Sequence, residues 1–139
     1  MGLTYAEIEL VNSEDIGLAR RNFISPEDIR SIRVNALVDS GSYMLAINEG
    51  VQEYLQLPVI EQKFAELANG VRIKCDVVGP VEVKFKNRST TCRAMVLPGD
   101  NEILLGAIPM EDMDVIWLPL KQELMVNPEH PTMAVTKLK

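Results

Sequence analysis

Val81-Glu82-Val83-Lys84-Phe85-Lys86 alternates without a break between apolar and charged side chains, and this pattern limits the fold more than any other stretch. Successive side chains of a β-strand point to opposite faces, so every second residue reaches the same side. The pattern therefore predicts a strand with one dry and one wet face, the habit of antiparallel sheet. Asn87-Arg88 turns the chain, and Thr90 to Leu97 reads as the return strand. Upstream, Phe64 to Lys74 encloses Asn69-Gly70. That pair tolerates positive φ and predicts a hairpin closed by a two-residue turn.

The remaining segments extend the β reading. Tyr5 to Val11 alternates like a half-exposed strand, Arg33 to Val38 is a second strand and Met44 to Ile47 a third. Asn48 is placed as the N-cap of a short helix reaching Leu55, with Val51, Tyr54 and Leu55 on its inner side and Pro58 beyond its end. Asn12 to Arg30 is polar and broken by Gly17 and Pro26, which predicts a long loop; Ser25-Pro26-Glu27-Asp28 within it can open one helical turn. Pro98 to Asn101 is a loop. Val115 to Leu118 and Glu123 to Val126 predict a last hairpin, followed by a Pro-interrupted tail over 127–139. The expectation is an all-β chain, mainly β with two short helices, in a single domain over 1–139.

Composition removes several classes of function. Fourteen Lys and Arg against 20 Asp and Glu give a net charge of −6, which argues against a nucleic-acid partner. No apolar run approaches the roughly 20 residues that span a bilayer, so no membrane role is expected. The start, Met1 to Ala6, lacks the charged and apolar regions of a leader, and the expected location is cytoplasmic. One histidine, His130, rules out a histidine-rich metal site and disfavours a Ser-His-Asp arrangement. Cys75 and Cys92 do not form a zinc motif and are expected as free thiols, neighbours in space if their strands pair. The glycines are scattered, without a phosphate-binding loop. No metal and no cofactor is expected.

Two motifs remain that carry chemistry. Ala36-Leu37-Val38-Asp39-Ser40-Gly41-Ser42 sets an acid at the end of an apolar run, followed at once by a hydroxyl and a glycine. The run reads as a buried strand, and glycine lets backbone turn sharply or approach another group closely. An acid held there is partly desolvated, and its pKa can be moved to suit acid–base work. Asp-Ser-Gly by itself is also ordinary turn composition. Ile103-Leu104-Leu105-Gly106 then leads into Ala107 to Met113, read as a core strand that ends at a helix start with Pro109 in its first turn. The acids Glu111, Asp112 and Asp114 read as the solvated face of that helix, and Trp117 as a core or interface anchor.

The first motif resembles the active-site signature of retroviral-type (retropepsin-like) aspartic proteases, of the bacterial single-domain kind: two apolar residues, Asp, Thr or Ser, Gly, then Ala or Ser. The second resembles the late apolar-apolar-Gly of the same family, and the resemblance runs from about Ala36 to Val126. It implies a partly closed β-barrel with one lobe per chain, relative to which residues 12–32 are a loop insertion. It also implies a homodimeric endopeptidase in which water is activated by a pair of Asp39 carboxylates, one from each subunit. Ser40 would lock the two loops across the axis, Gly41 would donate its N–H to the carboxylates, and Ser42 completes the loop. Leu104, Leu105 and Gly106 would support it from beneath, and Ala68, Asn69 and Gly70 would form the tip of a flap over a peptide or protein substrate. The chain departs from the pattern at Ser40, where many members carry Thr, at the bulky Tyr43 and at Ala107. The alternative is a retropepsin-like dimerisation or peptide-binding module with weak or no catalysis.

Overall fold

The computed structural model describes residues 2–138. Among these residues nine strands, β1 (Tyr5–Asn12), β2 (Ser31–Val38), β3 (Leu45–Asn48), β4 (Val59–Glu66), β5 (Arg72–Phe85), β6 (Arg88–Leu97), β7 (Leu104–Leu105), β8 (Val115–Leu118) and β9 (Glu123–Val126), dominate. The first seven form one sheet in the order β1-β2-β7-β3-β6-β5-β4, and β8 pairs with β9 separately. A further pairing of β1 with β5 closes six of the seven strands into a barrel, leaving β4 outside as a free edge. The closure is fuller than the expected partly closed barrel.

Its cause is the length of β5. The residues from Arg72 to Val78 pair with β4, whereas Val81 to Lys84 pair with β1. Between them the register against β6 shifts at Gly79-Pro80. Sequence punctuation of that kind signals a turn, but here it marks a bulge that bends one continuous strand around the corner of the barrel. The alternation in Val81 to Phe85 holds: Val81, Val83 and Phe85 join the core, while Lys84 is exposed. They pack with Ile8, Leu10, Leu45, Ile47 and Leu105.

Among the described residues three helices are present, not two. The unforeseen one, α1 (Ser13–Arg20), lies within the segment read as a loop. Asn12 is buried and shared between strand and helix: its Oδ1 accepts from the N–H of Asp15 at 3.1 Å and its Nδ2 donates to the carbonyl of Leu55 at 2.8 Å. Asp15 is buried in turn, and Arg30 reaches both its oxygens at 2.9 Å. These bonds hold Asp15 below the usual carboxylate range and anchor the insertion. A 3₁₀ turn at Pro26–Asp28 sits where one helical turn was expected. Helix α2 (Glu49–Leu55) is capped by Asn48 as predicted, with Val51 and Leu55 buried, but Tyr54 points outward.

The β4–β5 hairpin differs from the expected two-residue turn. Glu66 pairs with Arg72, and the N–H of Gly70 donates to the carbonyl of Leu67 at 2.9 Å. Ala68 and Asn69 are therefore the centre of the turn, and Gly70 alone takes positive φ, at 83°. The loop is a three-residue connection with a glycine bulge. Asn69 Oδ1 accepts from the N–H of Val71 at 2.9 Å, which removes the need for Asn69 to turn left-handed. The strands bearing Cys75 and Cys92 do pair, yet Cys75 lies opposite Lys63 and Cys92 opposite Val81, so the free thiols are not neighbours.

Candidate functional site

Asp39 follows the last residue of β2, and the chain turns immediately: the N–H of Ser42 donates to the carbonyl of Asp39 at 3.0 Å. Its position is set from three sides. The N–H of Val38 donates to Thr4 at 2.8 Å, that of Leu37 to Ile103 at 2.8 Å, and that of Asp39 to Leu105 at 3.1 Å. Strand β7 lies between β2 and β3, parallel to one and antiparallel to the other, so it threads beneath the loop that joins them. Leu104 and Leu105 are the rungs of that support, opposite Leu37 and Val38.

Gly106 completes it. A Cβ here would lie 2.3 Å from the carbonyl oxygen of Met44 and 2.6 Å from that of Ser42. The absence of a side chain lets α3 (Ala107–Met113) begin directly under the loop. There the N–H groups of Ala107 and Ile108 donate to the carbonyls of Ser42 and Tyr43 at 2.8 and 3.0 Å. The Ser42 hydroxyl donates to the carbonyl of Met44 at 3.0 Å. The N–H of Gly41 donates to Asp39 Oδ1 of its own chain at 3.0 Å. This bond orients the carboxylate. Asp39 is half-buried; Ser40 and Gly41 are exposed at the surface.

Facing the loop across a groove of about 680 Å³ is the β4–β5 hairpin. Asp39, Gly41, Ser42, Tyr43 and Leu104 belong to one wall and Lys63 to Ala68 to the other. Met95 and Leu97 of β6 complete an apolar lining. Ala68 reaches the groove, whereas Asn69 and Gly70 stand beyond it at the hairpin tip. The other acid of the lining, Glu66, is paired with Arg72 at 3.3 Å. The structure thus brings Asp39, Ser40, Gly41 and Ser42 together over Leu104, Leu105 and Gly106.

Sequence reasoning missed Lys63, Phe64, Met95 and Leu97 as lining residues. Alternation places Met95 and Leu97 on one face of β6, but which face turns to the groove depends on how the barrel closes. Asp114, read as solvated, is instead the end cap of α3 and a tether for the C-terminal segment. It accepts from Asn127 Nδ2 at 3.0 Å, His130 Nδ1 at 2.7 Å and the N–H of Val135 at 3.1 Å. Those bonds, with that of Asn127 foremost, hold its carboxyl down at about 2. Trp117 is half-buried and donates to the hydroxyl of Thr4 at 2.9 Å, linking β8 to the residue that braces Val38.

The sequence model of a family described as aspartyl protease matches residues 26–108, a span holding the Asp39 loop, the hairpin, the groove and Gly106. No curated protein matches the chain. Among solved structures it is similar to the retroviral protease-like domain of Ddi1 from Leishmania major, at 14% identity, with 91% of each chain covered and a TM-score of 0.53. A protein with unknown function from Legionella pneumophila aligns at 13% identity over 82% of this chain and 91% of that one, with a TM-score of 0.41. Among the described residues no helix is long and apolar enough to cross a membrane.

Proposed function

This chain belongs to the aspartyl protease family, with a retropepsin-like fold, and from that premise we propose that it is a homodimeric endopeptidase whose site is completed by a second copy. The observation that carries this reading is the placement of Asp39. It lines a peptide-sized groove, on a braced loop whose Ser40 and Gly41 are exposed, and among the described residues the lining holds no second acid free of an ion pair. Peptide hydrolysis by carboxylates needs two of them sharing one proton, because like charges that close cannot both ionise. A two-fold axis beside Ser40 supplies the second Asp39.

In such a pair the ionised carboxylate takes a proton from water as the oxygen attacks the scissile carbonyl carbon. The protonated partner gives its proton to the carbonyl oxygen. The resulting tetrahedral diol collapses when the amide nitrogen is protonated and the C–N bond breaks, releasing an acid and an amine. Gly41 holds the carboxylate from its own side, and the apolar lining keeps bulk water from competing for its hydrogen bonds. The surface around the loop supports a partner of the same kind. Ile108, bonded to Tyr43, and Leu3, next to the Thr4 that braces Val38, are exposed there, and the amide of Gln122 donates to the carbonyl of Leu3 at 3.2 Å.

Turnover of an unstructured protein substrate by Asp39→Asn against the parent tests the proposal. The substitution keeps shape and removes the titrating group, so activity falls on the order of a hundredfold or more while the oligomer persists. The parent activity has an acidic optimum, because the pair fails once both carboxylates ionise. Undiminished cleavage by Asp39→Asn rules out the assigned acid. A parent that binds peptides in the groove without hydrolysing them at any pH is a peptide-binding module instead.

A further inference from the structure

We infer that Lys63 selects the substrate: the groove takes an extended, mainly apolar segment that carries one acidic side chain where it passes β4. The inference rests on the groove being a peptide site, as proposed above. On β4 the residues Glu61, Lys63 and Ala65 share one face by the two-residue period of a strand. Glu61 and Ala65 are half-buried, and Lys63 between them is exposed and lines the groove. Each charged neighbour on the strand is already neutralised. Glu61 is held by Arg93 of β6, and Glu66 by Arg72 across the hairpin at 3.3 Å. Asp76, on the adjacent strand, accepts from the Gln62 amide at 2.9 Å. Lys63 lies opposite Cys75 and, among the described residues, is the one cation in the groove lining and has no ion-pair partner.

An ammonium in that place sets a condition on whatever covers it. A bound peptide strips water from Lys63, and the loss goes uncompensated unless the peptide returns a carboxylate or another acceptor. The rest of the lining, with Met95, Leu97, Leu104, Phe64 and Leu67, rewards apolar side chains. The net charge of −6 repels an acidic tract. A single acid in an apolar segment satisfies all three conditions.

The test is a set of peptides identical but for Glu, Gln or Lys scanned along an apolar sequence, offered to the parent protein and to Lys63→Glu. With the parent, kcat/KM at one position favours Glu over Gln by about three- to fivefold, the worth of a partly exposed ion pair, and the preference shrinks at high salt. With Lys63→Glu the same position favours Lys. An unchanged order of preference in a variant that still cleaves overturns the inference and leaves the protease reading intact. A parent that cleaves none of the peptides refutes the protease reading. Fluorescence anisotropy of the labelled peptides then decides the inference: tighter binding of the Glu peptide, reversed in Lys63→Glu, supports it, and equal affinities overturn it.

Discussion

A methyl group on Gly106 has nowhere to go. The carbonyl oxygens of Met44 and Ser42, at 2.3 and 2.6 Å from its ideal position, are backbone atoms of the loop that carries Asp39. Neither can swing aside as a flexible side chain would. Gly106→Ala must lift that loop from β7 or push α3 away, and the N–H bonds of Ala107 and Ile108 go with it. Overpacking of this kind costs about 1–3 kcal/mol, so the denaturation midpoint falls and cleavage is lost together with it, as urea titration and turnover measure. The requirement for glycine was legible in the sequence as part of Leu104-Leu105-Gly106, and so was Asp39, because both belong to contiguous motifs. Lys63 and Met95 were not, since a single residue on an alternating strand carries no mark of which face the closed barrel turns to a groove.

At the scale of elements, the β4–β5 hairpin combines features of a mobile segment. Strand β4 is a free edge, Phe64 is 69% exposed and Val71 also lies open. Few buried contacts oppose local opening, which predicts fast amide exchange across 66–73 in the free protein and slowed exchange when a peptide-like inhibitor fills the groove. Gly70→Val forces a β-branched residue to φ near 83° and lowers turnover, with little loss of global stability because the position meets no neighbouring atom. Exchange over 66–73 that is slow and indifferent to the inhibitor marks an ordinary surface hairpin. The element itself was legible from Asn69-Gly70, but its turn was not, because the side chain of Asn69 satisfies the backbone in a three-residue loop. Helix α1 escaped notice for a related reason. Its cap, Asn12, ends a strand, and the salt bridge that secures it joins Asp15 to a distant Arg30.

The C-terminal segment is an element of another kind, held by polar anchors more than by burial. Asp114 gathers Asn127, His130 and the backbone of Val135, while the guanidinium of the buried Arg88 reaches the carbonyl of His130 and Asn87 donates to that of Pro131 at 3.0 Å. The carboxyl of Asp114 is lowered from 3.8 to about 2 by its bonds from Asn127, Val135 and His130. A depressed acid contributes stability that is complete above its unfolded pKa and is lost as pH falls through the folded one. The tether therefore holds at neutral pH and weakens between about pH 4 and pH 2, while Asp114→Asn loosens it at every pH. Protease nicking at 128–137, or NMR signals of Asn127 and Val135, follows the release; a segment equally protected in Asp114→Asn contradicts it.

On the scale of the whole molecule, the threading of β7 between β2 and β3 is what sequence patterning could not supply. The pairing is parallel on one side and joins segments far apart in the chain, so no local period encodes it. Closure by β1 and β5 was hidden for the same reason. The single Asp39 motif bears on the assembly proposed above, in which each of two chains supplies one carboxylate. Leu120 lies at the turn between β8 and β9 and is 92% exposed, in the segment whose Trp117 reaches Thr4 and whose Gln122 reaches the carbonyl of Leu3. If the second copy proposed above covers that leucine, its full burial is worth about 1.5–3 kcal/mol. Leu120→Asp removes that gain and places a charge in the contact, so the dimer dissociation constant rises on the order of tenfold or more per buried leucine. Both chains of a symmetric dimer carry the change, which compounds the loss. Sedimentation over a concentration series reads the shift, and turnover falls only where the dimer has come apart, recovering at high protein concentration. Leu120→Asp that leaves the association constant unchanged places the axis elsewhere on the surface, and a parent protein monomeric at every concentration leaves Asp39 without its partner.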